Sequence, residues 1–123
     1  MIKLVYCLHR LPGMSFEEFS RYWFGPHADL MKEHGPKLGV LKYIKSHAVG
    51  PEAAQAMQTI RGCQDPFDGI AEIYFESLEA LEAGNPSAET LAAQALLLAD
   101  EKRFIDLSRS VIFLQKKSPS LRV

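Results

Sequence analysis

Residues 2–8, IKLVYCL, constrain the fold more than any other stretch, because both of their alternation classes are apolar apart from Lys3. Ile2, Leu4, Tyr6 and Leu8 fall on one side of an extended strand, and Val5 and Cys7 on the other. A strand with one wet face alternates apolar with polar residues, whereas this one demands cover on both faces. The chain must supply one covering layer from its own helices and obtain the second from elsewhere.

The order of the remaining elements shows where the first layer comes from. LPG at residues 11–13 breaks the strand's exit. Ser15 followed by Glu18 forms a capping box, with Met14 and Phe19 placed for a hydrophobic staple, so an amphipathic helix is expected over residues 14–35. Gly35, free to adopt the left-handed conformation, and Pro36, unable to continue a helix, should stop it. Pro26 should kink or interrupt it near Gly25. Residues 40–47, VLKYIKSH, alternate as a second strand whose mixed polarity suits a sheet edge.

Residues 50–66 form an insert with a short helix, PEAAQAMQTI, ahead of the turn-rich RGCQDP. That is long for a hairpin connection, and such loops serve as lids, partner contacts or plain surface excursions. A third strand is expected at residues 67–76, then a short helix capped by Ser77 and closed by Gly84. A longer helix should run from Asn85-Pro86-Ser87 to about Leu107, and a fourth strand occupies residues 111–115 before a tail expected to fray or reach a partner. The resulting βαββαβ order is the ferredoxin-like pattern: an α+β fold with an antiparallel four-stranded sheet and helices on one face. With 123 residues it makes one domain, residues 1–123. The doubly apolar first strand and the VIFL strand would leave the other face greasy, and a second subunit is its simplest cover, giving a homodimer through the sheet face.

A net charge of -1 provides no field to draw the chain toward nucleic acid or an anionic membrane. The longest apolar run, LAAQALLLA, is broken by Gln94, and the N-terminus lacks the apolar core of a secretory signal, so a cytoplasmic location is expected. Cys7 and Cys63 then read as reduced thiols.

Polar residues interrupt the apolar faces at two places. Counting about 100° per residue, Phe19, Trp23, His27, Leu30, Met31 and His34 share one sector of the first helix. In the last helix Asp100 lies at the centre of the sector holding Ala93, Leu96, Leu97, Phe104 and Leu107, with Glu101, Lys102, Arg103 and Asp106 off it. An ionised carboxylate among apolar neighbours is costly unless paired, so Asp100 needs a partner. The two helices of a split βαβ pair run antiparallel over the same sheet face, and counting from their ends puts His27 and Asp100 within about one turn of the same level. Contact would hold the imidazole in one tautomer and raise its basicity, suiting His27 to general acid/base work with Asp100 orienting it. A satisfied structural hydrogen bond is the alternative meaning of the same pair.

Tyr22, Trp23, His34, Tyr43 and Tyr74 are the candidates to contact a substrate. Tyr22 offers a rim hydroxyl, Trp23 stands in the core with its N–H satisfied, and His34 lies near the helix end, where terminal carbonyls compete for it. Tyr43, His47 and Tyr74 are strand residues on alternating faces, and His9 reads as a solvated strand-end residue. No metal is expected, since His27 and His34 are separated by about 10 Å along the helix and no HxxxH or HxH is present. Phosphate loops, a G-x-S-x-G elbow and a dinucleotide fingerprint are absent, so no nucleotide cofactor is indicated. Cys63 has no base beside it in sequence.

Three segments, SFEEFSRYWFGPHADL around His27, PFDGIAEIYFES at residues 66–77 and DEKRFID at residues 100–106, resemble the EthD-like family of the dimeric α+β barrel superfamily. The resemblance spans nearly the whole chain. It implies a ferredoxin-like protomer whose sheet packs on that of a second protomer, and it points to His27 and Asp100 as site residues. Members of the family and superfamily include a protein of bacterial alkyl ether degradation that accompanies an oxygenase system, dehydratases, cofactor-independent monooxygenases, lactone isomerases and polyketide cyclases. The implied function is cofactor-free dehydration, isomerisation or oxidation of a small hydrophobic oxygenated compound, with a noncatalytic binding or accessory protein as the alternative. One scaffold hosts several chemistries, so fold alone does not choose among them.

Overall fold

The computed structural model describes residues 1–82, 84–116 and 120–121. Four strands, β1 (Ile2–Leu8), β2 (Lys42–His47), β3 (Gly69–Phe75) and β4 (Val111–Lys116), form one antiparallel sheet in the order β2-β3-β1-β4. This is the ferredoxin-like α+β arrangement, with the most apolar strand, β1, in an interior position and β2 at an edge. The register pairs Tyr6 with Ala71 and Ile112, so Leu4, Tyr6 and Leu8 share a face with Ala71 and Phe75. That face carries the core: Tyr6, Leu8 and Ala71 pack with Phe19, Trp23, Phe104 and Ile105. Each large side chain buried here contributes roughly 1.5–3 kcal/mol.

The first helical segment starts where the capping box places it. Ser15 Oγ accepts from the Glu18 N–H, Glu18 reaches back to the Ser15 N–H, and Met14 packs on the core. After α1 (Phe16–Tyr22) the ladder slips into a π turn over Trp23–His27, then resumes as α2 (Ala28–His34). Pro26 lies within the slip and brings no N–H, which explains why the interruption falls there. The α-helix ends at His34 with Gly35 as its C-cap, as expected, but the left-handed conformation expected of Gly35 is corrected. Gly35 is right-handed, and a 3₁₀ turn continues over Gly35–Leu38 to end at Gly39, whose φ of 81° takes the left-handed conformation instead.

The insert forms α3 (Pro51–Arg61), flanked by Gly50 and Gly62 at φ 48° and 63°. Ser77 caps α4 (Leu78–Leu81); Ala83, just before the expected closing Gly84, lies outside the described residues. The last helix, α5 (Ala88–Glu101), is shorter than its apolar pattern predicts. Its pattern runs on because Phe104 and Ile105 are buried by a turn that leaves the helix and bridges Ile105 to Arg10. Local periodicity cannot distinguish that turn from two more helical turns. His9 is also corrected: it is buried, its ring against Phe67 with centroids 4.5 Å apart, because the 106–110 segment folds over it and ties down its backbone.

Gly69 opens β3 under the indole of Trp23, and only a residue without Cβ fits there. A methyl group would lie 2.4 Å from Trp23 Cζ3 and 2.8 Å from Cη2. On the opposite sheet face Ile70, Val111 and Phe113 are exposed, and β4 leaves Ile112 and Leu114 exposed on the helix side as well. Cys7 is buried, Cys63 exposed, and both are free thiols. No described helix is long and apolar enough to cross a membrane. Lys116 extends β4 by one residue, and most of the tail expected to fray falls on residues 117–119 and 122–123, outside the described residues.

Candidate functional site

The π turn buries both Trp23 and His27 against the core. The imidazole Nδ1 of His27 lies 2.8 Å from Asp100 Oδ2, and the Tyr22 hydroxyl donates to Asp100 Oδ1 at 2.5 Å. Both carboxylate oxygens of Asp100 are thereby engaged, answering the cost of placing it in an apolar sector. Arg103 Nε stands 3.8 Å from Oδ1 at the outer edge. An ionised Asp100 accepts but does not donate, so the Nδ1 of a neutral His27 carries the proton and Nε2 keeps its lone pair.

The side chains of His27 and Asp100 are only 5% and 7% exposed. Nε2 takes no hydrogen bond from the described residues. No fully buried side-chain nitrogen or oxygen among them lacks a partner, so Nε2 keeps a small solvent-accessible edge.

Glu101 extends the network beyond what the sequence pattern singled out. Tyr6, rising from the centre of the sheet, donates to Glu101 Oε1 at 2.9 Å. Burial raises the Glu101 carboxyl above its ordinary range, and the charge of Asp100 adds to this; the Tyr6 hydrogen bond and His27 oppose it. The helical count put Glu101 off the buried sector because it took Leu96 as buried; Leu96 is exposed, and the face that Ala93, Leu97 and Asp100 bury turns toward Glu101. A signal did exist: a tyrosine in the wholly apolar alternation class of β1 requires a partner for its hydroxyl.

The remaining candidates divide. Trp23 Nε1 donates to the Tyr43 hydroxyl at 2.9 Å, and burial pushes that phenol up to about 12. Burial also raises Tyr22, reinforced by its bond to Asp100. Tyr22, Trp23, Tyr43 and the His27–Asp100 pair therefore occupy one side of the sheet. His34 does not join them. The extra residue in the π turn rotates α2 about its axis relative to α1, and the His34 ring instead meets Lys37 Nζ at 3.3 Å and Glu33 at 3.6 Å. Tyr74 lies on the opposite sheet face, with Lys42 Nζ 5.6 Å from its ring centroid. His47 is at the β2 edge, bonded to Ser20 Oγ at 2.5 Å and stacked on Phe24. Among the described residues, no group of three or more His, Cys, Asp or Glu side chains is arranged to hold a metal ion.

The sequence matches the model of the EthD domain over residues 11–108, a span that contains every residue of this network except Tyr6. The chain belongs to the EthD family. The fold agrees with an ethyl tert-butyl ether d (EthD) family protein of Bacillus halodurans at a TM-score of 0.61 and 19% identity, covering 96% of this chain and 99% of that one. An Arabidopsis thaliana protein superposes with a TM-score of 0.57 at 19% identity, over 98% and 100% of the two chains. A dimeric ferredoxin-like protein of unknown function from Bacteroides fragilis does so at 0.51 and 11% identity, over 94% and 95%. No curated protein matches the sequence. At these identities the structural likenesses speak for the fold of this EthD family member, while the chemistry rests on its side chains.

Proposed function

We propose that this EthD family member is a homodimeric, cofactor-free enzyme of general acid/base chemistry acting on a small hydrophobic oxygenated compound. The observation that carries the reading is Asp100 gripping His27 Nδ1 while Nε2 takes no hydrogen bond from the described residues. Nε2 would remove a proton beside an activating carbonyl, leaving an enolate. Glu101, whose raised pKa favours the protonated form, would deliver a proton to a leaving hydroxyl as the C–O bond breaks. The products are an unsaturated ketone and water, and the proton on His27 returns to Glu101. Isomerisation uses the same two transfers, with the second proton placed on carbon. The Bacillus halodurans relative takes its family name from an ether, a compound of the small apolar oxygenated class suggested for this chain.

The exposed apolar residues Ile70, Val111 and Phe113 support the dimer reading, with a second copy of the chain covering the face that the helices leave open. The dimeric description of the Bacteroides fragilis neighbour agrees with it.

The test is a turnover screen with phenols, anthrones and lactones on the wild type, His27→Gln and Asp100→Asn. Both variants should keep the dimer and lose about 10²–10⁴-fold in kcat/KM. Equal turnover in all three proteins would remove the pair from the mechanism. The near-complete burial of the pair favours a second reading, a noncatalytic binding or accessory protein. That reading predicts ligand binding that survives His27→Ala, with no turnover of any compound screened.

A further inference from the structure

A cavity of about 730 Å³ opens beneath α3, lined by Phe16, Ala48, Val49, Ala54, Pro66 and Phe67, with Arg10, Gln58 and Asp68 as its polar groups. It is not the His27 site. Phe16, the wall residue on the same helical segment, precedes His27 by eleven positions, or about 16 Å of helix. The volume falls in the range of roughly 300–1,000 Å³ that small-molecule sites occupy.

The polar end of the cavity states what kind of molecule it takes. Arg10 Nη1 meets Asp68 Oδ1 at 2.5 Å, the Arg10 backbone N–H donates to Asp68 Oδ2 at 2.8 Å, and Arg10 Nε donates to the Met14 carbonyl at 2.9 Å. Both Asp68 oxygens are engaged, whereas Arg10 Nη2 has no partner among the described residues. The site thus offers hydrogen-bond donors at a point where the charge is already neutralised. A second cavity, of about 290 Å³, shares Arg10, Pro66 and Asp68 with the first, so the Arg10–Asp68 pair stands between the two.

We propose that the cavity beneath α3 binds a neutral aromatic ketone, its rings between Phe16 and Phe67 and its carbonyl oxygen accepting from Arg10. A carboxylate of the same shape is repelled by Asp68 as much as it is drawn by Arg10, the two being paired. A quaternary ammonium has no N–H to give and meets an Asp68 whose charge Arg10 already balances, so nothing offsets its desolvation.

Calorimetric titration with 2-acetylnaphthalene, 2-naphthoate and (2-naphthyl)trimethylammonium tests this. The ketone binds the wild type at least tenfold more tightly than either ion. Ala54→Trp, on a mostly exposed helix, fills the cavity and weakens ketone binding at least tenfold. Arg10→Lys, which keeps the charge beside Asp68 but loses the planar donor array, weakens the ketone and leaves naphthalene unchanged. His27→Gln binds the ketone as the wild type does. Absence of ketone binding, equal binding of naphthoate, or undiminished binding in a folded Ala54→Trp protein would each overturn the proposal. So would loss of binding in His27→Gln, by locating the ligand at the other site.

Discussion

Replacing Gly69 by alanine perturbs the contact on which the helical layer sits. The new methyl would meet Trp23 Cζ3 at 2.4 Å and the Ser46 carbonyl oxygen at 3.0 Å. Trp23 is fully buried between Phe19 and the sheet and cannot swing aside freely. Forcing a carbon into such a site costs about 1–3 kcal/mol. Displacing the indole also strains the Trp23–Tyr43 hydrogen bond, worth about 1 kcal/mol, while alanine recovers about 0.4–1 kcal/mol by restricting the unfolded chain. The net expectation is a loss of about 2 kcal/mol, or roughly 5–10 °C in Tm. Trp23 is the only tryptophan, so urea denaturation followed by its fluorescence reads both stability and the indole's surroundings. Trp23→Phe removes the atoms that collide, so in urea denaturation followed by circular dichroism, which needs no tryptophan, the double variant should recover at least about 1 kcal/mol relative to the sum of the single ones. A Gly69→Ala protein within about 0.5 kcal/mol of wild type, with unchanged emission, would refute the packing described.

Further outcomes follow from other contacts. Ser15→Ala removes the cap of α1 and should cost about 0.5–2 kcal/mol in the same denaturation assay. Tyr22→Phe deprives Asp100 of one donor and should cost about 1–2 kcal/mol, with Tyr22→Trp faring no better because it cannot restore the hydroxyl. Glu101 binds its proton more tightly in the folded than in the unfolded chain, so its contribution is fully present below the unfolded pKa and is lost as pH rises through the folded one. Glu101→Gln stays neutral and can still accept from Tyr6; its stability relative to wild type should therefore improve as pH rises above the ordinary carboxylate value, and a constant difference would contradict this. Phe113→Lys, on the uncovered sheet face, should convert the proposed dimer to monomer in sedimentation equilibrium while its circular dichroism stays that of the wild type.

Much of the architecture was legible because strong local signals agreed with one another. The doubly apolar β1, the capping box at Ser15 and the alternation in β2 and β3 each point to the same βαββαβ order. What misled was continuity of apolar spacing across a change in backbone. Phe104 and Leu107 keep helical spacing after α5 has ended, and that carried the expected helix past Glu101. The π turn at Trp23–His27 inserts a residue into the count, so His27 stays inside while His34 turns toward Lys37. Tyr74 and Tyr43 lie on opposite faces by strand parity alone, which keeps Tyr74 away from the pair. The Arg10–Asp68 pair joins positions 58 residues apart, a partnership that no local pattern carries.

The claim that organises the site is that Asp100 fixes His27 as the Nδ1-protonated tautomer with Nε2 left as the base. Imidazole ¹⁵N spectra of the wild type and of Asp100→Asn at mildly alkaline pH test it most directly. In the wild type, Nδ1 should resonate as a protonated nitrogen and Nε2 as an unprotonated one. Asp100→Asn should release the ring into exchange between tautomers. A wild-type His27 protonated on Nε2, or averaged between tautomers as it is in the variant, would contradict the account.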